Sequence, residues 1–158
     1  MSLDRYGIQP ETVQSIGTFS ILWCQFEQAF FEKSAYPNKI VKWARANEAD
    51  EAALELCRAV RTAAQDALEL NADDSHDDAG DLVFGEQYTG ADKHQNLVIE
   101  FLLASDEEML FGGCLLFIHR VRGNLFRGTE EIRGLDDQRG LFDAINVLLD
   151  ACLVAKEF

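Results

Sequence analysis

Hydrophobic side chains recur every three or four positions along the first part of the chain, which is the spacing of one helical face. Between residues 11 and 34 the recurring side chains are Ile16, Phe19, Trp23, Phe26 and Phe30. Pro10 suits the first turn of this helix, and Pro37 ends any extension of it. The pattern therefore predicts a long first helix with one wide apolar stripe.

A second helical pattern runs through residues 38–70. Asn38 is its candidate N-cap, because a short polar side chain can accept a hydrogen bond from the first free backbone N–H groups. Asn47 and several acidic residues cluster between residues 46 and 50, where the helix can break. We expect this stretch to be helical and allow for a break at that cluster.

The hydrophobic pattern is lost between residues 71 and 93. Residues 71–80 hold four aspartates and neither lysine nor arginine, which predicts an acidic irregular loop over 71–93. The segment fails as a calcium-binding loop. Counted from Asp73, the position that needs glycine is Asp78 and the position that needs glutamate is Phe84.

Helices are predicted again in the second half of the chain, the first of them a short one over residues 94–104. Ser105 and Glu108 have the spacing of a capping box, so the next helix should span 106–127. Gly128 suits the position after its end. A last helix is expected over residues 136–156.

The expected architecture is one all-α domain over residues 1–158, most simply a bundle of four to five main helices. No apolar run approaches the ~18 residues needed to span a bilayer, and the N-terminus lacks the apolar core of a signal peptide. We therefore expect a cytoplasmic protein without membrane contact. The four cysteines have no zinc-site spacing, and we expect reduced thiols and neither a metal nor a cofactor.

Charge narrows the classes of function. The chain has 14 Lys+Arg against 28 Asp+Glu, a formal net charge of -14, which excludes a generally basic nucleic-acid binder. The positive charges are unevenly spread. Residues 119–139 hold five arginines and four acids, a net charge of +1, whereas the other 137 residues carry -15. Four of these five arginines are therefore the candidate side chains for binding phosphate or RNA: Arg120, Arg122, Arg127 and Arg133.

The helix over residues 111–127 places two polar side chains among apolar ones. A helical projection puts Arg122 and His119 on the apolar face, whereas Arg120 and Arg127 lie on a different side. An unpaired buried charge costs several kcal/mol, so Arg122 needs partners. Three arrangements would satisfy Arg122. It can pair with a carboxylate inside the fold, or it can line a cleft where helices or subunits meet. Alternatively, its aliphatic carbons can lie along an apolar surface while its guanidinium reaches water.

The segment 111–128 resembles the signature helix of HEPN domains, small all-α proteins of bacterial toxin–antitoxin and antiphage systems. The family often shows an Arg-Asn-Asn-Leu-Phe-His-Gly motif, and the residues that match it here are Arg122, Asn124, Leu125, Phe126 and Gly128. The aromatic first helix and the closing helix also resemble the family. The resemblance implies a homodimer whose interface includes apolar side chains of this helix. The candidate interface residues are Phe111, Leu115, Ile118, Arg122 and Phe126.

Active HEPN members cleave RNA without a metal, using Arg and His at a dimer cleft. Here the family's His is replaced by Arg127, which cannot accept a proton because a guanidinium stays protonated at any physiological pH. The resemblance therefore implies a non-catalytic, dimeric binding or regulatory module, with an antitoxin or another protein as a further candidate partner. One alternative is a metal-independent endoribonuclease using Arg122 with His119, Asn124 and Arg127. Another is an acidic helical scaffold with purely structural arginines. The net charge disfavours RNA as a partner.

Overall fold

A computed structural model describes residues 7–71, 73–105, 107–126 and 134–156. Within these ranges all regular structure is helical and no strand is present, so the predicted all-α class is confirmed. The described residues form seven α-helices: α1 (Pro10–Phe31), α2 (Pro37–Ala46), α3 (Glu51–Leu68), α4 (His76–Phe84), α5 (Lys93–Leu102), α6 (Leu110–Phe126) and α7 (Arg139–Lys156). None of the helices in the described ranges has the length and apolarity needed to cross a membrane.

Helix α6 is the centre of the packing. Every side chain from Leu110 to Ile118 is buried, and the helix contacts α2, α3 and α5. Its approach to α5 is close at Gly113, where an added Cβ would lie 2.8 Å from the Cβ of Phe101 and 3.0 Å from the Leu97 carbonyl oxygen. A glycine is therefore required for this helix pair to pack at its observed distance.

Helices α1 and α7 lie side by side and run in the same direction. Ser15 Oγ donates to Asp143 Oδ1 at 2.5 Å near their starts, and Lys156 Nζ donates to the Ala29 carbonyl near their ends. Between these contacts the rings of Phe19 and Phe142 pack with centroids 5.7 Å apart. The predicted apolar stripes of the first and last helices meet here and form one side of the core.

The predicted helical stretch 38–70 is interrupted between Ala46 and Glu51, as the polar cluster indicates. The side chain of Asp50 accepts a hydrogen bond from the Ala53 N–H at 2.8 Å and so starts α3. The prediction of Asn38 as an N-cap is wrong. Helix α2 already begins at Pro37, whose fixed φ and missing N–H suit a first turn.

The prediction of an irregular loop over 71–93 is wrong, because the segment contains α4 and a 3₁₀ turn, Gly85–Gln87. Ser75 Oγ accepts from the Asp78 N–H at 3.1 Å and caps α4. Asp77 and Asp78 lie in its first turn, where negative charge favours the helix dipole. Two of the four aspartates that resemble a solvated loop thus belong to a helix start.

The predicted helix start at residue 106 is also wrong, since α6 begins at Leu110. The N–H of Ser105 donates to the Glu100 carbonyl at 2.9 Å, so Ser105 closes the end of α5 instead of capping α6. The predicted stop at Gly128 lies outside the described residues. The all-α bundle with four to five main helices is confirmed, and the described residues add two shorter elements to it, because the 38–70 stretch divides into α2 and α3 and the acidic segment contains α4.

Candidate functional site

Positive side chains converge on a cleft between α2 and α5 that we call the basic cleft. It has a volume of about 470 Å³. The second half of α2 contributes Lys42 and Arg45, and the first turn of α5 contributes Lys93 and His94. The one carboxylate among the described lining residues is Glu100. With His94 neutral the lining carries a charge of +2, in a chain whose total is -14.

The cations of the basic cleft differ from the arginines of α3, which are bound to the protein's own acceptors. Arg58 pairs with Glu51 at 2.9 Å. Among the ion pairs that join described residues, none includes Lys42, Arg45 or Lys93. These three charges therefore remain accessible to an external anion.

A second, smaller cleft of about 190 Å³ adjoins the basic cleft, and we call it the histidine cleft. His94 lines both clefts, and His119 and Arg120 of α6 line the second one. The Arg120 guanidinium lies 4.9 Å from the ring centroid of Phe84 and donates to Gln87 Oε1 at 3.4 Å. Two imidazoles and a guanidinium thus share one cleft.

The first turn of α5 fixes the position of His94. Asp92 Oδ1 accepts from the His94 N–H at 2.8 Å and from the Gln95 N–H at 3.2 Å, which caps the helix. The same oxygen lies 4.0 Å from His94 Nδ1. The neighbouring imidazole, His119, packs near Trp23 with ring centroids 6.2 Å apart.

The two clefts have complementary chemistry. Lysine and arginine side chains bind phosphate oxygens, and arginine does so with two parallel hydrogen bonds. An imidazole can donate or accept a proton near neutral pH. The basic cleft can therefore hold phosphate groups, and the histidine cleft can bind or protonate a group attached to them.

The residues predicted from the HEPN-like motif that the structure describes lie on the second half of α6. His119 lines the histidine cleft, and Arg122, one turn further along the helix, is half-buried, as is Asn124. The joint site of Arg122 and His119 stays a prediction. Arg127 and Arg133 lie outside the described residues, as does the side chain of Phe126.

The predicted dimer-interface residues are mostly internal. Leu115 and Ile118 are fully buried and Phe111 is 9% exposed, all three within the core of the single chain. They cannot form a contact between two copies while α6 is packed as observed. The dimer interface stays a prediction, since helical phase identifies an apolar face without identifying what covers it.

Sequence reasoning missed the basic cleft altogether. Lys39, Lys42 and Arg45 recur at a spacing of three along α2, which is a basic helical stripe and the signal that could have pointed to the cleft. Lys93 and His94 carry no such signal, because they reach the cleft only through the packing of α5 beside α2.

Two core cysteines contact each other but form no metal site. Cys57 and Cys114 are both buried, and burial followed by a hydrogen bond with Cys57 raises the pKa of Cys114 well above its usual value. Among the described residues no group of three or more His, Cys, Asp or Glu side chains is arranged to hold a metal ion.

Comparison with known proteins found no similar one. The chain matches no family model, no curated protein and no solved structure. The basic and histidine clefts are thus the basis for a functional proposal.

Proposed function

We propose that the protein is a HEPN-like, non-catalytic module that binds RNA through its phosphate groups and acts by binding or regulation. The observation that carries the proposal is the convergence of Lys42, Arg45 and Lys93 on one cleft of an otherwise acidic protein. The motif residues that support the family assignment are on α6 and just beyond it, and the all-helical architecture agrees with it.

The net charge of -14 and the basic cleft have opposite effects on RNA. The acidic surface repels phosphate at long range, but salt screens this repulsion beyond about 8 Å at physiological ionic strength. Short-range contacts in the cleft are less affected. We therefore expect weak, salt-sensitive binding of single-stranded RNA, with the affinity set by a few phosphate contacts.

Fluorescence anisotropy with a labelled single-stranded RNA tests this proposal. The double variant Lys42→Ala/Lys93→Ala should bind at least about tenfold more weakly, and its salt slope should fall by roughly 1.4, since each lost phosphate contact removes about 0.7 on single strands. The matched control Lys33→Ala/Lys156→Ala removes the same charge outside the basic cleft and should bind like the parent. Equal affinities for the two double variants, or no RNA binding by the parent, would contradict the proposal.

A homodimer is part of the proposal. Because α6 is buried from Leu110 to Ile118, the partner copy would contact its later turns, where His119 and Arg120 and residues 122–125 are half-buried. Such a contact would bring the two histidine clefts close to the interface. Light scattering at micromolar protein concentration measures the oligomeric state. A monomeric mass at that concentration would contradict the proposed homodimer.

The second candidate function is a metal-independent endoribonuclease. It is favoured by one observation, that His94, His119 and Arg120 line a single cleft beside the basic cleft. Two imidazoles can serve as general base and general acid, with a cation stabilising the phosphorane charge. This version predicts metal-free RNA cleavage that is lost in His119→Ala and in His94→Ala but retained in Arg122→Ala. Intact RNA after long incubation with the parent protein would eliminate it.

A further inference from the structure

A third cleft, the aromatic cleft, opens where the end of α1, the α2–α3 connection and the end of α7 meet. Its volume is about 390 Å³, within the range of small-molecule sites of roughly 300–1,000 Å³. The rings of Phe30, Trp43 and Phe111 line it, with centroids 4.9 Å apart for Phe30 and Trp43 and 5.6 Å for Trp43 and Phe111. Alanine side chains of α3 and α7 form its walls. The shape suits a compact ligand with an apolar body.

The charges around the aromatic cleft are mostly negative. Glu48 and Asp50 are exposed lining residues, and Asp50 is held in place because it caps α3. Cys152 adds no charge at neutral pH, since burial, followed by the nearby Cys57 and Asp50, raises the pKa of its thiol to about 12. The one cation among the described lining residues is Lys156. Two carboxylates against one ammonium favour a positively charged ligand.

Lys156 shows that this aromatic cluster accepts a cation. Its Nζ lies 5.1 Å from the ring centroid of Phe30 and donates to the Ala29 carbonyl. The negative face of an aromatic ring attracts ammonium groups, and a tryptophan ring does so most strongly. Trp43 is half-buried and lines the same cleft. Four phenylalanine rings pack around its indole, so a second ammonium would contact only the part of the ring that faces the cleft.

We propose that the aromatic cleft binds an organic cation, an amine or quaternary ammonium carried on a compact apolar group. The aromatic rings and the Glu48 and Asp50 carboxylates attract the charge, and the alanine walls cover the apolar group. The site is separate from the basic and histidine clefts and does not depend on the RNA-binding proposal.

Isothermal titration calorimetry at low ionic strength tests the charge preference with two probes of the same size and opposite charge, phenethylammonium and phenylacetate. Phenethylammonium should bind at least about tenfold more tightly than phenylacetate, because ring faces and carboxylates both favour the cation. The full-length protein is used for all measurements.

Three exposed substitutions locate the binding. Glu48→Gln should weaken phenethylammonium binding by about two- to fivefold through loss of a surface charge pair. Lys156→Met should strengthen it by about twofold or more, because it removes a competing ammonium from the ring cluster. The control Glu86→Gln makes the same charge change on the 3₁₀ turn after α4, outside the cleft, and should leave affinity unchanged.

The opposite results would overturn the proposal in distinct ways. Tighter binding of phenylacetate, lost in Lys156→Met, would identify an acid-binding cleft. Equal effects of Glu48→Gln and Glu86→Gln would show that only the net charge matters. If phenethylammonium at millimolar concentration gives no heat of binding, the aromatic cleft does not bind organic cations and the proposal is wrong.

Discussion

The guanidinium of Arg61 donates from Nη1 to Glu107 Oε1 across 3.0 Å, and its Nε donates to the Phe101 carbonyl at 2.6 Å. These contacts join α3 to the end of α5 and to the residues before α6. Arg61 is a buried charged residue, and it gives the Phe101 carbonyl a second hydrogen bond besides the one from the Ala104 N–H at 3.2 Å. Arg61 is therefore a structural residue and no part of the basic cleft.

Replacing Arg61 with methionine should lower the free energy of unfolding by about 1–3 kcal/mol, because the buried Phe101 carbonyl loses the shorter of its two hydrogen bonds and Glu107 loses a charged partner. Urea denaturation followed by circular dichroism measures the change. Arg58→Met is the matched control one turn earlier on α3. Its pairs with Glu51 and Glu55, and its longer one with Glu107 at 3.6 Å, are solvent-exposed, so Arg58→Met should lower the free energy of unfolding much less than Arg61→Met does. Equal losses in the two variants would contradict the structural role of Arg61.

Gly113→Ala should destabilise the protein by about 1–3 kcal/mol, because its Cβ would overlap Phe101 and force α5 away from α6. Gly17→Ala provides a contrast of opposite sign. Gly17 lies within α1, and an added Cβ there meets nothing within 4 Å, so better helix propensity should stabilise the protein by about 0.5–1 kcal/mol. Thermal denaturation of both variants measures the difference. A stabilising Gly113→Ala would show that the two helices pack less tightly than observed.

Asp136 should contribute stability that depends on pH. The hydroxyl of Thr12, at 2.6 Å, and then the backbone N–H of Gln9, at 3.0 Å, hold the pKa of its carboxyl below the usual value. A lowered folded-state pKa means that the contribution is complete above the unfolded value near 3.8 and is lost as the pH falls through the folded-state pKa.

Asp136→Asn should therefore be less stable than the parent at pH 7, and the difference should shrink as the pH falls below about 4. Urea denaturation across this pH range measures it. Asp137→Asn, at the exposed neighbouring position, serves as the control. A difference between parent and Asp136→Asn that stays constant with pH would mean that the carboxylate charge is not involved.

Thiol reactivity should rank the cysteines by exposure. Cys24 is exposed, whereas Cys57 and Cys114 are buried, and burial also raises the pKa of the Cys114 thiol. The thiolate is the reactive form, so a thiol-exchange reagent should label one cysteine rapidly and the two buried ones only on unfolding. Cys24→Ser should remove the rapid phase. Persistence of that phase in the variant would indicate that the core opens locally near Cys57 and Cys114.

Long amphipathic helices could be predicted from the sequence, and short or charged elements could not. The stripes of α1 and α7 are long enough for the helical period to be unambiguous. Helix α4 has nine residues, and its first turn contains aspartates that are equally typical of a loop. The start of α6 was misplaced because the Ser105–Glu108 spacing matches a capping box by chance, whereas Ser105 bonds to α5 and Glu107 to Arg61.

The candidate site was less predictable than the fold because it depends on contacts between distant segments. His119 was identified from its helical phase, and it does line a cleft. Its neighbour there is His94, which comes from a different helix and had no positional signal. The same holds for Lys42 and Lys93, whose proximity follows from how α2 and α5 pack against α6.

The tight contact at Gly113 has a mechanical consequence. Because α5 and α6 approach without room for a methyl group, they should move together as one unit. His94 on α5 and His119 on α6 then hold a nearly constant separation, and His94 is a wall common to both clefts. Ligands in the two clefts would therefore share a side chain, and titrations of one cleft should be repeated with the other occupied before their affinities are treated as independent.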